Sequence, residues 1–163
     1  MQFHGRIHHF PKEIKLFIAV FVLVLSVGYV TGLLFVKQTD TTYPQGIEEN
    51  YLGNEDSADL DVMKFKKGER EMLTIVHTHI LSMSFIFFLL GGILATTAIN
   101  KKLKSFLMIE PFISVILTFG GIYLLWSGYL WMKYIVMISG ILMTICFVLS
   151  VFFIFQSLLK KSI

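Results

Sequence analysis

The residues most able to do chemistry in this chain are two histidines, His77 and His79, two apart within the apolar stretch 71–100. Imidazole is a common ligand for haem iron and copper, and a membrane histidine must be paired or turned inward. On a helix, positions two apart are turned by about 200°, so the rings point to nearly opposite faces. They cannot grip one ion from one helix turn; each serves a partner on its own side. Thr74 and Ser84 share a face with His77, and Ser82 and Met83 with His79. Hydroxyls so placed are candidates to hold the second ring N–H. Two readings stay open: ligation of a metal or haem, or structural hydrogen bonds to hydroxyls or carbonyls on other helices.

A haem held on both axial sides needs a second ligand, and no other membrane run contains histidine. The alternatives are Met83, Met108, Met132, Met137 or Met143, a histidine from a second copy, or an open position suited to a small gas molecule. Glu110, followed by Pro111, is the other ionisable group inside a run. Its carboxyl either takes part in proton movement or pairs with Lys102 or Lys104, and Pro111 is expected to bend the helix. His8 and His9, with His4, read as a headgroup-facing arm rather than a metal site. The acidic run 54–61 lacks EF-hand spacing and its glycine, so it reads as solvated acid. No nucleotide loop, nucleophile triad, paired-carboxylate site or CxxC is present, and Cys146 stands alone in an apolar run.

The elements that must carry these groups are membrane spans. The chain has 163 residues, 55% hydrophobic and 15% charged, well below the roughly 25% charge of a soluble domain. Four apolar runs, 16–36, 72–99, 105–131 and 134–159, are each long enough to cross a bilayer. The first is too long for a signal-peptide core and no A-x-A cleavage pattern follows it. Short connections after the second and third runs force antiparallel neighbours. The expected fold is all-α: one integral membrane domain, an up-down-up-down bundle of four transmembrane helices with one outer loop at 37–70. The first half of that loop carries turn formers, and 61–69 is expected to enter the second helix early. Gly28 and Gly32 form a GxxxG spacing, expected to pack inside the bundle.

Eight of the fourteen basic residues lie in the N-terminal arm, the 101–104 loop and the C-terminal tail; the other six mix with most of the acids. The positive-inside rule then puts both termini in the cytoplasm and the loop outside, as expected of a multi-pass protein of a bacterial inner membrane. Tyr123, Trp126, Tyr129 and Trp131 suit the outer interface. The histidines fall in the outer half of the bundle. The basic clusters flank spans, so they bear on orientation in the lipid bilayer and not on nucleic acid.

The segment LTIVHTHILSMSFIFFLL resembles the helix of haem–copper oxidase subunit I that carries H-x-H before an L-S-M-like stretch. It resembles more closely a group of small bacterial four-helix membrane proteins described as oxidase-subunit-like, with VHTH opening the second helix. The upstream GIEENYLGNE is similar to a G-I-x-E-x-Y-x-G segment before H-x-H in related bacterial proteins, so the likeness covers about residues 43–92. The resemblance implies two haems, one on each side of the helix, with His77 matching the high-spin ligand and His79 the low-spin ligand. The oxidase's copper-ligating histidines and its further low-spin haem histidine have no counterpart here. The expected function is therefore binding of haem b for electron transfer or for gas or redox sensing, without oxygen reduction by this chain alone. The alternative is a cofactor-free accessory or assembly subunit of a larger membrane complex, or a homo-oligomer, with structural histidines. Copper handling is a third reading, weakened because the outer loop offers only Met63 and no histidine.

Overall fold

The computed structural model describes residues 6–55 and 62–160, so His4, Lys161 and the acids at 56, 59 and 61 lie outside the described residues. Helices occupy Lys12–Gln38 (α1), Pro44–Leu52 (α2), Glu69–Ala95 (α3), Lys101–Val115 (α4), Gly121–Trp126 (α5) and Met132–Leu159 (α6). A π turn, Ile116–Gly120, joins α4 to α5, so these two form one span of 26 residues from Lys101 to Trp126. With α1, α3 and α6 it makes four helices long and apolar enough to cross a membrane; no strand occurs among the described residues.

The spans alternate in direction, and their end contacts show it. At one end the backbone N–H of Ile7, in a short 3-10 turn, bonds to the Thr96 carbonyl at 3.1 Å, tying the start of α1 to the end of α3. At the other end Trp126 Nε1 donates to the Lys67 carbonyl at 2.8 Å, joining the end of α5 to the approach to α3. Lys133, opening α6, pairs with Glu48 of α2 at 2.5 Å. Leu90, Leu94, Val115, Leu125, Cys146 and Ile154 are fully buried between α3, the α4–α5 span and α6. The helix α1 packs on the outside of α6, with only Val22 fully buried; Tyr29 stacks on Phe147 at 3.9 Å and its hydroxyl meets Thr144 at 3.2 Å.

Four expectations need correction. The first half of the outer loop is not irregular: it holds α2, started by Pro44 at the first helical position and ended by Gly53 at φ 86°. Residues 62–68 do not join the second helix. The Asn54 side chain accepts from the Lys64 N–H at 2.6 Å and donates to the Val62 carbonyl at 3.1 Å, holding the segment extended until Gly68 caps α3. At its far end α3 stops at Ala95 rather than 99, where Thr96 and Thr97 turn their hydroxyls back onto the Ile93 and Leu94 carbonyls at 2.7 Å. Gly28 and Gly32 do not pack inside the bundle: a Cβ added at either meets no atom within 4 Å.

Candidate functional site

On α3, His77 and His79 lie eight and ten residues from Glu69, about 12 and 15 Å along the helix. As their spacing requires, they occupy different faces. His77 sits on the stripe that carries Leu73, Leu81, Phe85 and Phe88, all more than half exposed and therefore turned toward lipid. Around it, Glu69, Arg70, Leu73, Thr74 and Thr78 line a shallow open groove. His79 looks toward the π turn, where its ring stacks on Phe119 at 4.7 Å between centroids.

The His79 ring nitrogen Nδ1 lies 2.7 Å from the Ile75 carbonyl, one turn back on the same helix. A carbonyl only accepts, so Nδ1 carries a proton and donates it. A neutral ring then has its lone pair on Nε2, the arrangement in which metal-ligating histidines are commonly held. Two of the hydroxyls expected to play this part, on Thr74 and Ser82, do not. Thr74 donates to the Arg70 carbonyl at 2.8 Å and Ser82 to the His79 carbonyl at 3.4 Å, both inside their own helix, as short hydroxyls do.

Two of the methionines weighed as second ligands are committed elsewhere. Met143 is buried in the core, and Met132 is buried at the α6 start against Gly121. Met83 lies one turn from His79 on the same helix, so it cannot stand opposite it across a haem. Among the described residues no three His, Cys, Asp or Glu side chains gather where one ion could be held. Met108 packs near Gly91, twelve residues along α3 from His79, and Met137 is part-buried on α6, so of the methionines Met137 is the one left open beside a group from another copy. His79 therefore fits as one axial ligand, and the opposite side is left to Met137, to a group from another copy or to none.

Glu110 neither snorkels nor pairs with a lysine. It is 7% exposed, and its Oε1 accepts from Ser114 one turn on. Lys104 instead caps the end of α3, donating to the carbonyls of Ala95, at 3.1 Å, and Thr97. The reason is the face it occupies: Glu110 lies on the side of α4 that is packed against α6, away from the headgroups. The helix continues through Pro111, and the irregular turn falls five residues later, at Ile116–Gly120. Sequence reading missed that turn and, with it, Phe119 beside His79. It also missed the Thr118–Ser139 hydroxyl pair at 2.7 Å that links the turn to α6.

Residues 40–162 match the model of the Aq_1264_TM family, described as a transmembrane helical domain. The chain belongs to this family. The match begins after α1 and takes in α2 to α6, the part of the molecule that shares a buried core. It places the chain among transmembrane helical domains and draws no link to haem–copper oxidases. No curated protein and no solved structure matches the chain.

Proposed function

We propose that this transmembrane domain binds haem b through α3, with His79 Nε2 as an axial ligand, and serves electron transfer or gas or redox sensing. The observation that carries the reading is the His79–Ile75 hydrogen bond, which leaves Nε2 as the free lone pair. His77, on the lipid-facing stripe, offers a second imidazole to another copy of the chain or to a second haem. Arg70, in the groove with His77, suits a propionate carboxylate. In this reading the protein lies in a bacterial inner membrane with both termini cytoplasmic and the histidines in the outer half. Chain purified from haem-replete cells should show a Soret band. His79→Ala should remove or shift it, and His77→Ala should change it only if that ring ligates as well. A colourless preparation would sink the proposal.

A second reading, a cofactor-free accessory subunit, is favoured by one feature. Gly28 and Gly32 lie open on α1, where a partner helix can approach closely. Co-purification of a defined membrane partner that survives the double histidine variant but not Gly28→Leu would favour it.

A further inference from the structure

A crevice of about 190 Å³ lies between α4 and α6. Its walls are aliphatic, Ile113 and Leu117 from one span and Ile138 and Leu142 from the other. Ile113, Leu117 and Ile138 are also exposed on the outer surface of the bundle, so the crevice opens toward lipid. Its polar groups are Glu110, Ser114 and Ser139. Both hydroxyls are already committed: Ser114 donates to Glu110 Oε1, and Ser139 pairs with Thr118 at 2.7 Å and bonds to the Ile135 carbonyl at 2.7 Å. Glu110 Oε2 is buried and has no hydrogen-bond partner among the described residues. The thiol of Cys146, a weak donor, lies beside the same carboxyl.

A buried acceptor with no donor stronger than a nearby thiol is costly, so the open side of Glu110 is where a ligand gains most by bringing one. The crevice is smaller than the roughly 300–1,000 Å³ of pockets that enclose a whole drug-sized molecule, so a head group enters and its tail stays in lipid. The walls are too apolar to replace the hydration of an ammonium head. A phenolic O–H needs no such shell, is a stronger donor to a carboxyl than an alkanol, and sits on a flat apolar ring that fits between two aliphatic walls.

We propose that the α4–α6 crevice is a binding site for the head of a phenol-type amphiphile, which enters from the bilayer and donates its hydroxyl to Glu110 Oε2. The site is independent of any haem on α3.

The test uses the full chain in detergent and the lipid-soluble reagent diisopropylcarbodiimide, which adds to a carboxyl, read by peptide mass. Glu110 should be labelled. A saturating amount of para-octylphenol should slow labelling about tenfold, as expected at ten times the dissociation constant. Para-octylanisole, the same body with its hydroxyl methylated, should not protect, and octanol should protect far less. Ile138→Trp, which fills the mouth, should slow labelling of Glu110 with no ligand present and leave para-octylphenol little further to protect. Failure to label Glu110 would overturn the proposal by showing that lipid-borne molecules do not reach it. Equal protection by the anisole would overturn the hydrogen bond, and equal protection by octanol would overturn the phenolic head. No protection by any of the three would leave the crevice to water or side chains and overturn the site.

Discussion

Tyr51 shows how burial at one residue becomes a measurable property. It sits near the end of α2, and its carbonyl accepts from the Lys67 N–H at 3.2 Å. Burial disfavours the charged phenolate and pushes the Tyr51 hydroxyl from 10.0 up to about 12. The folded chain therefore keeps a proton that the unfolded chain gives up between those values. This contribution to stability is complete below pH 10 and is lost as the pH rises toward 12. The difference in ultraviolet titration between the wild type and Tyr51→Phe should show a step near 12. A step at the ordinary tyrosine position would mean that α2 is not held against the bundle. The histidines were legible at this scale in one respect: helical geometry alone separates their faces. Their partners were not, because neither Phe119 across a π turn nor the carbonyl of Ile75 carries a sequence signal that marks it as one.

Between two spans, a close approach is at Gly121, which opens α5. A Cβ there would meet Val136 Cγ2 at 2.9 Å and Met132 Cε at 3.3 Å, both on α6. The methionine can swing aside, but the β-branched valine cannot without moving its backbone. Gly121→Ala should therefore destabilise the bundle by about 1–3 kcal/mol, the usual range for overpacking, read as a lower unfolding midpoint in detergent. Gly28→Ala and Gly32→Ala should change the midpoint little, within about 0.5 kcal/mol, because nothing lies within 4 Å of either added carbon. A large loss from either of these would show that α1 packs through its glycines after all. The spans themselves could be read from hydropathy, since a run that crosses lipid must be apolar all along it. Which glycines are packed could not. GxxxG describes the spacing of small residues on one helix and says nothing of which face that helix turns inward, and Gly121 has no such spacing to mark it.

At the scale of the molecule, hydropathy alone makes the four spans equivalent, yet they are not used alike. The α4–α5 span is half buried along its most apolar stretch and α1 hardly at all, and the family match also leaves α1 out. Burial depends on which faces meet, and a wholly apolar helix carries little pattern to say so. Orientation is a separate property, and it rests on charge. The end that holds the N-terminal arm and the 101–104 loop is rich in lysine and arginine and poor in acid, whereas the α2 end carries Asp40, Glu48, Glu49, Glu55, Glu69 and Glu71. Moving that basic cluster across the bilayer is what the positive-inside rule disfavours. The native cysteine, Cys146, is buried in α6, so a Cys146→Ser background admits single exposed cysteines as reporters. In intact bacterial cells, a membrane-impermeant maleimide should label Glu55→Cys and spare Lys101→Cys; both positions are exposed, and both should label once the cells are lysed. The opposite pattern would invert the molecule. It would carry the histidine half of α3 to the cytoplasmic side and leave the Glu110 crevice nearer the outer leaflet.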